Sequence, residues 1–302
     1  MTKTILFTAF VSAILFGAAI SPTANANTNL VVNGSFEEPD IPSISFAVFG
    51  SIPGWITSFG PGIEIQDNPT LAFDGDQYVE LDSHPNPGNS GMAQTLSTTP
   101  GKFYELSFAY TPRPGVSAES NTIEVYWDGY LVDTLSEDGI GLTSTDWSVN
   151  TYTLVSSSGS TVLEFRAAGT PETLGGFIDD VSVIVATLEA DIDIKPGSDP
   201  NSVNCKSKGV VPIGIYSDGS FNATTIDLSS ITINGNPVTE AHGILHIEDL
   251  NEDSIDDVVI HVNTFDVCAA TTVVSGTEPV TVAGSNANGL FEGTDSVRIV
   301  KR

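Results

Sequence analysis

Tyr104-Glu105-Leu106-Ser107-Phe108-Ala109-Tyr110 is the stretch whose reading decides the fold class. In an extended chain Tyr104, Leu106, Phe108 and Tyr110 fall on one side, and Glu105, Ser107 and Ala109 on the other. That period of two is what a half-buried strand requires. The rhythm recurs on either side of this run. At 122–127, Ile123, Val125 and Trp127 oppose Glu124 and Tyr126; at 78–82, Val79 and Leu81 oppose Tyr78, Glu80 and Asp82. Further short runs at 161–167 and 176–185 are set off by Gly, Pro, Asn and Ser, and no segment sustains a helical period. The first half therefore reads as an all-β sandwich of two sheets. Trp55 and Trp127 are expected in its core, with Tyr126 facing outward.

The chain has 302 residues, enough for two domains of ordinary size. Its start has another character. Lys3 is followed by an apolar run at 5–20 and by Ala24-Asn25-Ala26, a small-x-small cleavage signal. Residues 1–26 read as a secretory signal peptide. The apolar run is short for a membrane span, and no second one follows. The expected product is secreted, to the extracellular space, the cell surface or the periplasm. Domains are expected at 27–187 and 191–302, joined by a linker at 188–190. The second half continues in strands, at 210–216, 231–233, 244–248, 258–262, 271–275, 280–282 and 296–300.

Charge narrows the partners. Thirty-eight acids against ten Lys and Arg give a net charge of −28. Such a field repels nucleic acid and anionic membrane surfaces, and suits a neutral ligand or a divalent cation. The two cysteines, Cys205 and Cys268, both lie in the second half. In an exported chain an isolated pair is expected to form a disulfide.

Asp249-Leu250-Asn251-Glu252-Asp253-Ser254-Ile255-Asp256-Asp257 has the spacing of a calcium loop. Asp249, Asn251, Asp253 and Asp257 present oxygens at positions 1, 3, 5 and 9, and Ile255 at position 7 offers its carbonyl. A tight turn can aim these at one centre, where a hard cation collects oxygens at about 2.3–2.6 Å. Ser254 stands where glycine is usual, and Ile260 stands where a helix–loop–helix calcium hand has its glutamate. β-branched residues on both flanks make this a strand–loop–strand site.

Several motifs bring a resemblance. Asn33-Gly34-Ser35-Phe36-Glu37 is similar to the opening strand of galactose-binding-like jelly-roll modules, among them carbohydrate-binding module families 4 and 9. Taken with Ile52-Pro53-Gly54-Trp55, the run from Asp74 to Ser83, Tyr110 to Gly115 and the closing Gly175 to Val183, residues 29–185 resemble the domain-of-unknown-function family 642. The resemblance implies an N-terminal jelly-roll β-sandwich, with a structural calcium tying the first strand to the last through Glu37 and Asp179, Asp180 being the substitute. Residues 191–302, with Ile192-Asp193-Ile194-Lys195-Pro196-Gly197-Ser198, resemble an uncharacterised accessory domain of secreted bacterial and archaeal proteins. They imply a second, smaller β-sandwich-like domain and no chemistry.

Catalytic patterns are weak. Gly88-Asn89-Ser90-Gly91 looks like the serine loop of trypsin-like proteases, but His84 is too close to serve and no histidine precedes it. His242-Gly243-Ile244-Leu245-His246 lacks the glutamate of a zinc-protease helix. His242, His246 and His261 can be imagined as zinc ligands, but are expected instead to pack against, or hydrogen-bond to, the acidic loop. A glycosidase pair needs two carboxylates at a set separation, which spacing in sequence does not supply. Sugar recognition needs an aromatic platform with polar side chains beside it. Tyr78, Glu80, Tyr126 and Arg166 on outward strand faces, and Arg113 on a Pro-stiffened loop, are the candidates; His84, Trp147 and Asn121 lie nearby. The expected function is a secreted, non-catalytic, calcium-stabilised protein that binds a polysaccharide or other glycan. The alternative is an extracellular structural or adhesive protein contacting protein or matrix.

Overall fold

The computed structural model describes residues 2–4, 28–84 and 88–301. Residues 5–26 of the expected leader lie outside them. Thr2–Thr4 pairs in parallel with Ser148–Val155, so a chain beginning near Asn27 would leave that strand at the sheet edge. The molecule is almost entirely β, and divides into one unit ending at Val185 and a second beginning at Ala186.

The first unit is a two-sheet sandwich. One sheet runs in the order Thr2–Thr4, Ser148–Val155, Phe103–Thr111, Phe177–Val185, Gln77–Glu80, Ile63–Asp67, Ser45–Phe49. The other runs Tyr130–Leu135, Ile123–Trp127, Ser160–Ala167, Gly91–Ser97, Trp55–Phe59, Ser51–Ile52. The alternating apolar positions meet between them. Phe108 of the first sheet lies edge-on to Phe165 of the second at 5.0 Å, and Tyr104 lies 6.2 Å from Trp127. Trp55 is fully buried against Phe36 and Phe165. Both buried indoles keep a hydrogen-bond partner: Trp55 donates to the Asn33 carbonyl and Trp127 to that of Val155. Asp128 and Gly129, both at positive φ, make the two-residue turn between Trp127 and Tyr130, as a tight hairpin demands.

The opening motif has a packing explanation. The segment around Gly34 lies along the closing strand: Leu30 N–H donates to the Val183 carbonyl and Val181 N–H to that of Gly34. A Cβ on Gly34 would stand 2.0 Å from the Val181 carbonyl oxygen, so this approach admits only glycine.

The second unit also has two sheets. One contains Thr187–Glu189, Leu290–Lys301, Gly276–Ser285, Thr232–Ile233 and Asn236–Pro237, with Ser202–Asn204 on the far side of Leu290–Lys301. The other runs Ile192–Ile194, Val210–Ile215, Asp257–Asn263, His246–Glu248. The expected linker at 188–190 is not a linker: Leu188 and Glu189 belong to a strand paired in parallel with Phe291 and Glu292. Apolar Leu188 is buried there, which a free tether would not achieve. Cys205 and Cys268 form the expected disulfide, joining the end of Ser202–Asn204 to the short helix Thr264–Ala269.

Candidate functional site

The structure separates the five candidate sugar-binding residues onto opposite sheets. Tyr78 and Glu80 belong to the first, and Arg113 lies on the loop that follows its strand Phe103–Thr111. The alternation sends Tyr78 and Glu80 away from the inter-sheet core, but that face is roofed. Trp147 donates its indole N–H to the Leu71 carbonyl, and Thr145 donates to the same oxygen. Trp147 then packs edge-on against Tyr78 and Phe73. Tyr78 ends 1 % exposed, 4.7 Å from the Phe177 ring, so it offers no stacking surface. Burial pushes its phenol up to about 12.

Glu80 is wholly buried and its oxygens are committed. One accepts the Gly175 N–H at 2.6 Å; the other accepts the Gln66 amide and the Arg113 guanidinium. Arg113 also lies over the Phe177 ring at 5.4 Å. The pair braces the roofed face and is removed from the sugar-binding set. Glu64, on the neighbouring strand, shares the Gln66 amide and is equally hidden. Ser90 of the protease-like motif is buried, donating to the Gly62 and Leu81 carbonyls.

Tyr126 and Arg166 do meet, on the outer face of the second sheet. Directly paired residues share a face, and one row across this sheet reads Ile56, Ala93, Glu164, Tyr126, Leu131. The next reads Phe59, Gly91, Arg166, Glu124, Thr134. The Arg166 guanidinium lies 4.1 Å over the Tyr126 ring and donates to Glu164 at 2.7 Å. The Tyr126 hydroxyl donates to Glu124 at 2.6 Å. That bond raises the phenol pKa. At Glu164 burial pushes upward, but hydrogen bonds from Arg166 and Ser58 outweigh it and hold the carboxyl below its ordinary range. Ile56, Leu131 and Phe59 stand exposed around this charged, aromatic centre.

Phe59 belongs to this outer face, which sequence reasoning missed. By simple alternation it shares the side of Trp55 and would be core. A register shift between Thr57 and Phe59 turns it out, placing its ring over Gly91. The preceding Trp-Ile-Thr-Ser-Phe run carries no mark of that bulge.

The calcium expectations concern two groups of oxygens. In the first unit, Glu37 and Asp179 hold the same loop from two sides. Glu37 accepts the N–H groups of Asp76 and Gln77; Asp179 accepts those of Phe73 and Asp74, at 2.9 and 3.0 Å. Gly75 turns between them at φ +64, where a Cβ would stand 2.3 Å from a Glu37 oxygen. Burial pushes the Asp179 carboxyl up to about 7. Asp180 sits exposed at the adjoining bulge, at φ +48.

In the acidic loop, Asp249 accepts the N–H groups of Asp253 and Ser254, Asn251 that of Asp253, and Asp253 that of Ile255. These bonds curl the loop on itself, with Asp249, Asn251 and Asp253 all exposed. Ser254 adopts φ +71, the conformation for which glycine is usual at that position. Asp249, Asn251 and Asp253 thus spend side-chain oxygens on backbone N–H groups of their own loop; with the Ile255 carbonyl they are the oxygens expected for a hard cation. Asp257 differs: it is fully buried, and its two oxygens accept the N–H groups of Leu250 and Ser217. It anchors the loop to the sheet.

The three histidines turn toward Glu240 and one another rather than onto the acidic loop. Ring centroids of His242, His246 and His261 lie 4.6–5.2 Å apart. Burial, then the neighbouring imidazoles, lower the pKa of His261.

No family model matches the chain. It is 29 % identical over 158 residues to the Multifunctional-autoprocessing repeats-in-toxin of Vibrio vulnificus, an alignment covering 51 % of this chain and 3 % of that protein. Among the described residues no helix is long and apolar enough to cross a membrane. Of solved structures, an arabinose-bound α-L-arabinofuranosidase is similar over 53 % of this chain and 27 % of its own, at 11 % identity and TM-score 0.39. The module TmCBM61 in complex with β-1,4-galactotriose is similar over 53 % of this chain and 99 % of its own, at 15 % identity and TM-score 0.34.

Proposed function

We propose that the first unit is a non-catalytic carbohydrate-binding module whose glycan surface is the outer face built on Tyr126 and Arg166. The observation carrying this is their stack, flanked by Glu124 and Glu164 and bordered by exposed Phe59, Ile56 and Leu131. Sugar rings offer C–H faces to aromatic and aliphatic surface, and hydroxyls to planar charged groups. This face supplies both, while the opposite sheet is covered where its candidates lie. The opening motif, which resembles that of galactose-binding-like modules, supports the same reading. Export is part of the proposal, supported by the leader-like start and by a disulfide, which persists in oxidising compartments.

Insoluble-polysaccharide retention and a glycan array test the face. Phe59→Ala, Tyr126→Ala and Arg166→Ala are each expected to weaken binding about tenfold or more, the scale of a central contact. Phe46→Ala, at an exposed position of the other sheet, should leave it unchanged. Native protein retained on no glycan would sink the reading. Retention surviving all three substitutions would relocate the site.

Calcium is the proposed cofactor. Asp249, Asn251, Asp253 and the Ile255 carbonyl would hold one ion, with Asp257 anchoring the loop; Glu37, Asp179 and Asp180 would hold a second at the closing bulge. When bound, the ion would supply positive charge to these carboxylates. At about a hundred times its dissociation constant it would add about 2.7 kcal/mol of stability. Native protein should therefore melt higher in calcium than in chelator, and Asp253→Ala should reduce that difference. Coincident melting curves would remove calcium from the account.

A further inference from the structure

We propose that Glu240, His242, His246 and His261 form a binding site for a divalent transition-metal ion, zinc foremost. The site rests on how two segments are brought together. His246 opens the strand His246–Glu248 opposite Val259 of Asp257–Asn263, and His261 lies two residues further along, on the same face. Glu240 bridges to Val262 beside them. Glu240 is 5 % exposed and its carboxylate ties the segments: one oxygen accepts the His261 N–H at 3.1 Å, the other those of His242 and Ile244 at 2.6 and 3.2 Å. Gly243, at φ +70, makes the turn that folds the His242 ring back over His246.

The distances suit an ion. His242 Nδ1 lies 3.0 Å from His246 Nε2, and a Glu240 oxygen lies 3.8 Å from Nδ1 of both His242 and His261. Each of the four residues offers a donor atom within 4.8 Å of all the others. A tetrahedral zinc with bonds of about 2.0–2.1 Å sets its donors about 3.3–3.4 Å apart. The observed spacings bracket that edge, so closure onto an ion needs only side-chain adjustment.

A second observation points the same way. His261 Nδ1 is shielded from solvent and has no hydrogen-bond partner. Its neighbour, the Glu240 oxygen, is too distant to accept from it. A buried ring nitrogen left so costs stability, and a metal at the centre would engage it. Three imidazoles and one carboxylate match borderline metals, not calcium, which takes oxygens alone. The His242 side chain is 47 % exposed, so an ion can enter from solvent. The pattern differs from a zinc-protease helix because its members come from a turn and two strands.

The test uses the full chain, stripped with chelator and returned to buffer containing calcium, so that oxygen sites are satisfied. Titration with zinc chloride followed by calorimetry should give one saturable equivalent per chain. His246→Asn and His261→Asn should each weaken it by more than about tenfold, since even outer-shell partners of a metal cost that much. Val274→Ala, at an exposed position of the same unit outside both proposed metal sites, should leave zinc affinity unchanged. Should the histidine variants fail to fold, cobalt(II) added to the native chain still decides: a strong four-coordinate visible spectrum displaced by zinc is expected. Absence of saturable zinc binding, a weak six-coordinate cobalt spectrum, or unchanged affinity in both folded histidine variants would overturn the assignment.

Discussion

Glu80→Gln should gain on the native protein as pH rises from the ordinary carboxylate range toward about 8. Burial pushes the Glu80 carboxyl from its ordinary 4.5 up to about 8, even though Arg113 and the Gly175 N–H pull the other way. The unfolded chain gives up this proton near the ordinary value, while the folded chain keeps it until near 8. Stability from the protonated, buried group is therefore complete below about 4.5, falls as pH rises, and is gone above about 8. Glutamine does not titrate, so the variant lacks that slope. Its own cost, from an amide nitrogen set among the Arg113 and Gln66 donors, is a constant offset. Urea unfolding of both proteins at pH 5, 6, 7 and 8 separates the two. A gap that stays level across the series would show that the native carboxylate is already ionised at pH 5. The consequence reaches the proposed function: Arg113 is held by Glu80 and Phe177, so its loss should destabilise the unit, whereas Arg166 can be removed with its sheet intact.

Glu80 also shows where sequence stops being informative. Alternation assigned the strands, and it placed Tyr78 and Glu80 on the side away from the inter-sheet core. It could not show that a roof covers that side. The roof is made by Trp147 reaching the Leu71 carbonyl across 76 positions of sequence, and no local pattern records such a contact. Phe59 fails for another reason, since one extra residue in a strand reverses every orientation after it. The stack of Tyr126 and Arg166 was half legible: each outward parity could be read, but their pairing depended on the register between Ile123–Trp127 and Ser160–Ala167. The disulfide was legible because two cysteines allow one pairing. The histidines were visible as residues. Glu240, which gathers them, acts through backbone N–H groups up to 21 positions away and leaves no motif.

Removing the disulfide with Cys205→Ser and Cys268→Ser should cost the second unit about 4 kcal/mol, the chain-entropy value for a loop of this length. The cysteines are 63 positions apart, so the bridge closes more than half of the unit into one ring. Within that ring lie Val210–Ile215, His246–Glu248, most of the sheet they form with Asp257–Asn263, and the acidic loop. Without the bond, Ser202–Asn204 is held by its parallel pairing to the end of Leu290–Lys301, and the helix Thr264–Ala269 by the burial of Val267 and its neighbours. A helix of six residues has little stability of its own, so its position depends on what ties it down. Reversible urea unfolding of the separated second unit would confound the bond with a cut chain, so the full chain is used, and the transition of the second unit is followed by proteolysis within residues 186–302. Both calcium and zinc should be absent, because an ion binding only the folded state would mask part of the loss. A loss below about 1 kcal/mol would mean that the reduced, unfolded chain keeps enough structure near the cysteines to offset the closure entropy. A loss near the full value would identify the bridge as the strongest single restraint on the sheet that carries both proposed metal sites of this unit. Reduction should then weaken zinc binding by raising the cost of bringing Glu240 and His261 together.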